Sequence, residues 1–260
     1  MKPLPVIAII KETLLTVWQK RFGLFRTLIV TGLAMAALDV AMRHSLKSVG
    51  WVSFLLLFAL DVILGGALFV LFAITCHRLV LLGETSVPQY GLLSWTSRET
   101  RFFGWGVVSC LYGLLVIGPV LIATFLPVFF VDFADKETTK YWGTLGAFMG
   151  SVPAVYVLAR LAVLFPATAI GERRNTDWAF DTTAKNGWRL VAATTLITAP
   201  FLLGIHALPV DHSLLGDFLM GLVDYAFMAI GIVALSLSFR FLSPTSPEAG
   251  GANFSSNGRA

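Results

Sequence analysis

Apolar residues run through the chain in six long stretches separated by short polar clusters: about 27 to 42, 51 to 76, 103 to 131, 144 to 170, 188 to 208 and 214 to 239. Each is close to the roughly 20 residues with which an α-helix crosses a bilayer core. These stretches are too apolar to fold in water. The pattern predicts an all-α polytopic membrane protein with six transmembrane helices over residues 1–242. The remaining residues, 243–260, are rich in Pro, Gly and Ser with little to bury, and are predicted to form a disordered cytoplasmic tail.

Three polar-apolar segments precede the odd-numbered stretches and are predicted to be amphipathic helices lying in the inner interface. The first puts Ile7, Ile10, Leu14, Val17 and Trp18 on one face and leads to Arg21-Phe22-Gly23. The second holds Leu92, Trp95, Arg98, Glu99, Arg101 and the Phe102-Phe103 pair. The third starts at a capping run, Asn175-Thr176-Asp177, and carries Trp178, Phe180, Ala184, Lys185 and Trp188. The even-numbered stretches end alike, in His77-Arg78-Leu79, Ala159-Arg160-Leu161 and Phe239-Arg240-Phe241. With Trp18, Trp95 and Trp178 as markers, the chain divides into three hairpins with a period near 80 residues, a threefold internal repeat.

Composition supports the membrane assignment: 57% of residues are hydrophobic and 13% charged, against roughly 25% charged in soluble domains. The formal net charge of +4 says little about nucleic acid here, because the basic residues first have to be assigned to membrane sides. Fourteen Lys and Arg fall in the N-terminal segment, the second and fourth loops and the tail, against Arg43, Lys47, Lys136 and Lys140 on the other side. The positive-inside bias therefore places both termini in the cytoplasm. Trp51 and Trp142 mark the outer belt, Trp105 and Trp188 the inner one. Cys76 and Cys110 lie in apolar runs, form no CxxC pair, and are expected to be buried free thiols.

Ionisable residues inside spanning stretches cost a few kcal/mol unless a partner, water or the interface compensates them. Asp39 is near an outer end and is expected to reach headgroups or Arg43. Asp61 and Asp224 are deeper, each ten residues, roughly 15 Å, from the outer edge, and form a candidate ion or proton site. Arg160 sits in the fourth stretch, either snorkelling to lipid phosphate or paired with one of those acids, and Pro166 either ends that helix or kinks it. Gly146 and Gly150 form a GxxxG contact that suits a neighbouring helix of the chain or of a homo-oligomer. Metal and catalytic patterns are missing: no HExxH, GxSxG, phosphate loop or CxxC, and His206 and His212 lack ligand spacing. No enzyme activity, cofactor or metal is expected.

The stretch Ala159 to Val191, ARLAVLFPATAIGERRNTDWAFDTTAKNGWRLV, resembles uncharacterised bacterial six-span inner-membrane proteins and the membrane domain that accompanies some glycerophosphodiester phosphodiesterases. The segment from Cys76 to Phe103 is similar to the same group. The resemblance implies a six-helix scaffold in a bacterial inner membrane. It does not extend to phosphodiesterase activity, because that domain is missing from the sequence. The expected role is non-enzymatic: a lipid-facing scaffold or regulator that meets anionic headgroups through Trp18, Trp95, Trp178, Arg21, Arg98, Arg101 and Lys185. The alternative is a small transporter or channel using Asp61 and Asp224, with Arg160 as their prospective partner.

Overall fold

A computed structural model of the chain describes residues 2–45, 50–130, 136–206 and 213–243, without side chains for 124–130, 136–143, 201–202 and 205–206. Described residues form nine α-helices, one short 3-10 turn and no strand: α1 (Val6–Gln19), α2 (Arg21–Ser45), α3 (Trp51–Leu81), α4 (Ser97–Phe130), α5 (Lys136–Leu161), α6 (Leu164–Ala169), α7 (Thr176–Thr183), α8 (Gly187–His206) and α9 (Leu214–Leu242), the turn being Glu84–Ser86. Five helical segments are long and apolar enough to cross a membrane: Arg21–Ser45, Trp51–Leu81, Ser97–Ala123, Thr144–Ala169 and Leu214–Leu242. The tail beyond Ser243, and His212 with Asp211, lie outside the described residues.

The long helices close into a ring. Helix α2 packs on α3, α3 on α4, α4 on α5, α5 on α8, α8 on α9, and α9 back on α2. The tight core lies toward the C-terminal halves of α3 and α9. On α3, Phe72 to His77 are all buried, whereas Trp51, Val52, Leu55, Leu56, Ile63 and Leu64 are exposed, as suits a lipid-facing surface where apolar exposure has no cost. Residues 232–234 and 236–239 of α9 are likewise buried. Across this centre His77 Nδ1 lies 2.8 Å from Ser236 Oγ.

Three expectations change. The second amphipathic segment is not a separate helix. Thr96 and Glu99 form a capping box in which the Glu99 carboxylate accepts from Thr96 N at 2.8 Å and from the Thr96 hydroxyl. This starts α4 at Ser97, so Trp95 and the residues before it lie outside any helix. Gly91 holds that approach: at φ +82° a β-carbon would stand 2.4 Å from the Thr27 carbonyl oxygen. Second, α5 stops at Leu161 and Pro166 belongs to a separate short helix, α6, which is buried against α3, α4 and α9. Third, Cys76 is a buried free thiol but Cys110 is exposed on α4. The bare face of Gly150 is used within the chain, 3.4 Å from Val120 Cβ.

Candidate functional site

Helix α9 divides two hollows near the middle of the ring. Successive residues on a helix point about 100° apart, so Asp224 and Tyr225 face opposite hollows, and Met228, three and four residues on, borders both. On the α2 and α3 side is a pocket of about 270 Å³ lined by Asp39, Asp61, Gly65, Gly66, Tyr225 and Met228 among others. The Tyr225 hydroxyl donates to Asp39 Oδ2 at 2.5 Å, and Asp61 and Asp224 are both close enough to act electrostatically on it. Asp39 is drawn inward because it continues the buried stripe Leu24, Thr27, Leu28, Thr31, Met35 and Ala36 of α2. It therefore meets Tyr225.

On the other side is a cavity of about 620 Å³ between α4, α5, α8 and α9. Asp224, Ser109, Thr194, Thr195 and Thr198 give it polar walls, and Phe165 of α6, its ring tilted against Phe102 at 4.9 Å between centroids, belongs to its lining. Asp224 Oδ1 is buried and has no hydrogen-bond partner among the described residues. A buried polar atom left unpaired is destabilising, so this carboxylate is a point where the fold gives up stability. At the outer end a different acid is satisfied: Asp217, on the first turn of α9, meets Arg43 at 3.5 Å and His44 at 3.3 Å.

Arg160 joins neither Asp61 nor Asp224. Its Nε donates to Thr183 Oγ1 at 2.9 Å and one terminal nitrogen to the Phe180 carbonyl, with the guanidinium 4.7 Å from the Phe180 ring centroid. It clamps α7 to the inner end of α5. The corresponding arginines act alike. Arg78 donates to the Ser86 and Ala169 carbonyls, holding the segment before α4, and Arg240 pairs with Glu12 of α1. Each inner-end arginine thus grips the element that leads into the next hairpin around the ring. Beside Arg240, Lys20 donates to the Leu79 carbonyl at 3.1 Å. Burial pushes the Lys20 ammonium below the ordinary lysine value, Glu84 opposing and Arg240 adding to the effect.

The proposed lipid contacts occupy unlike environments. Trp18 is 66% exposed with Arg21 stacked 4.6 Å over it, and Trp95 is exposed and donates to Thr100. Trp178 is half-buried, packed against Phe239 with Arg174 over its ring. Arg98 is bound to the buried Glu99; Arg101 reaches the Ser97 carbonyl; Lys185 is exposed. Trp18, Trp105 and Trp188 instead share a spacing. They follow Lys11-Glu12-Thr13, Arg98-Glu99-Thr100 and Asp181-Thr182-Thr183 at the same distance, the triplets that hold Glu12 and Thr183, partners of Arg240 and Arg160. That triplet was the signal available in the sequence.

No group of three His, Cys, Asp or Glu side chains arranged to hold a metal occurs among the described residues. Compared with known proteins, the chain matches no family model, no curated protein and no solved structure.

Proposed function

We propose that the chain is a six-span protein of a bacterial inner membrane with both termini cytoplasmic, and that it carries protons or small cations across the membrane without catalysing a reaction. The sixth crossing is α8, whose 20 residues reach about 30 Å. The closed order of helix packing, the three arginine clamps and the repeated triplets support a threefold hairpin repeat.

One observation carries the transport reading: Asp39 and Asp61 line one hollow with Tyr225 and Asp224 lines the other, with one oxygen of the Asp224 carboxylate unpaired among the described residues. Intramembrane acids are expensive, and placed against cavities they mark ion or proton paths. Proton uptake into proteoliposomes under an imposed potential is the test. Flux is expected from the native chain, lost in Asp61→Asn and Asp224→Asn, and kept in Asp181→Asn on the exposed surface of α7. Equal flux in all four would refute the reading.

The lipid-facing scaffold is the second reading, favoured by α1. Ile7, Leu14, Leu15 and Trp18 are exposed on it, and Phe22 and Phe25 extend the ridge onto α2 beside Arg21. An apolar face edged by basic residues suits the anionic inner leaflet. Replacing Arg21 and Lys11 with Gln is then expected to lower the chain's enrichment of anionic over zwitterionic lipid in mixed nanodiscs. Unchanged enrichment would exclude it.

A further inference from the structure

The larger cavity is asymmetric in its chemistry. Its polar groups include the Asp224 carboxylate and the hydroxyls of Thr194 and Thr198, one turn apart on α8. Each of these threonines gives its hydrogen to the preceding turn, Thr194 to the Leu190 carbonyl and Thr198 to the Thr194 carbonyl, both at 2.9 Å. With those hydrogens used, their hydroxyls have only lone pairs left to offer a ligand. Among the described residues no lysine, arginine or histidine lines the cavity. Ser109 and Thr195 add two further hydroxyls, and the rest is apolar, with Leu158, Phe165, Phe227, Ile232 and Leu235 among the walls. A site rich in acceptors, with one carboxylate, lacks what a ligand must then bring: N–H donors and a positive charge, on a body that fills an apolar space. The volume of about 620 Å³ is within the roughly 300–1,000 Å³ of small-molecule sites.

We infer that this cavity binds an organic monocation, a protonated primary amine on an apolar body, with the ammonium between Asp224 and the threonines of α8. The inference deepens the transport reading and rests on it for the cavity being the substrate site. A quaternary cation fits less well, because it brings charge without the donors that the Asp224 carboxylate and the threonine oxygens accept. An anion is repelled, and a neutral alcohol leaves the carboxylate uncompensated.

Equilibrium dialysis of the detergent-purified full chain against tritiated 4-phenylbutylammonium tests this. Saturable binding of one amine per chain is expected, with 4-phenylbutanol and 4-phenylbutyrate competing at least tenfold more weakly. Asp224→Asn is expected to weaken binding at least tenfold, Asp224→Glu to keep most of it, and Thr198→Val to weaken it about threefold. Should Asp224→Asn fail to fold, Thr198→Val and the alcohol competition decide. Equal competition by the alcohol, or native affinity in both Asp224→Asn and Thr198→Val, overturns the inference. Proton flux that depends on Asp61 with no amine binding would sink this inference and leave the transport reading standing. Asp224-dependent amine binding without any flux would do the reverse.

Discussion

Replacing Arg160 with alanine is expected to release α7 far more than any comparable change releases α1. The guanidinium makes two charge-assisted hydrogen bonds to α7 and lies over the Phe180 ring, with Thr183 fully buried beneath it. Such bonds are worth about 1.5–3 kcal/mol each and the ring contact about 0.5–1 kcal/mol. They share one group and are not additive, and water reaches part of the gap, so about 3–4 kcal/mol is expected for the docking of α7. The equivalent pair, Arg240 with Glu12, has side chains 43% and 32% exposed, which limits it to about 1 kcal/mol. Hydrogen exchange in nanodiscs resolves the two. At about 1.4 kcal/mol per factor of ten, amides of 176–183 should exchange roughly 100- to 1,000-fold faster in Arg160→Ala. Those of 6–19 should quicken less than tenfold in Arg240→Ala. Arg160→Lys keeps the charge but loses the forked geometry, and should fall between the native chain and the alanine variant. Protection of 176–183 within threefold of native in Arg160→Ala would refute the clamp, as would an equal response to Arg240→Ala.

Gly187→Ala should destabilise the chain by about 1–3 kcal/mol, because the new methyl meets the Tyr156 ring at 2.5–2.9 Å. Most of the loss should return in Gly187→Ala/Tyr156→Val, measured by thermal unfolding in detergent. Lys20 gives a pH signature. Its folded value lies below 10.5, so between the two values the unfolded chain holds the extra proton and stability rises with pH. That rise should be missing from Lys20→Gln over the same alkaline window. Single cysteines at Pro88 and Thr176 should be labelled only from the cytoplasmic side and one at Lys136 only from outside; the opposite pattern at Lys136 overturns the orientation.

The long helices were legible because a spanning segment must be a long apolar run, and their boundaries fall within about six residues of the apolar stretches except for the fourth, where α5 is Lys136–Leu161 and the end of the stretch forms α6. The Asn175 cap was legible for a local reason, since its side chain accepts from Trp178 N within its own turn. The start of α4 was legible too, in the Thr96-Ser97-Arg98-Glu99 box, but the marker tryptophans Trp95 and Trp178 occupy unlike places. Trp95 and Trp178 stand before glycines at matching spacing, yet one lies outside any helix and the other packs inward. The acid cluster was half legible. Depth counting singled out Asp61 and Asp224. The bond from Tyr225 to Asp39 joins residues 186 apart, and no local pattern carries that information. Arg160 illustrates the same limit, since its partners on α7 are fixed by the break at Ala162 and Val163 that turns the chain back under α5.

The N-terminal segment closes the ring from the far end of the chain. Leu4 N donates to Asn186 Oδ1 at 2.7 Å, Asn186 Nδ2 to the Lys2 carbonyl at 3.2 Å, and Arg189 to the Leu4 carbonyl at 3.1 Å. In time this order is inverted: Leu4 is made well before the Asn186 to which it bonds. At about 5–20 residues per second, roughly 10 to 40 seconds pass between the synthesis of Leu4 and that of Asn186. During that wait α1 lacks the packing against α8 and α9 that helps to bury Ile9 and Thr13. An early, membrane-resting α1 that slides onto α8 and α9 when the last hairpin arrives makes ring closure the event that ends assembly. A chain truncated before Asn186 would be caught with its first helix still waiting.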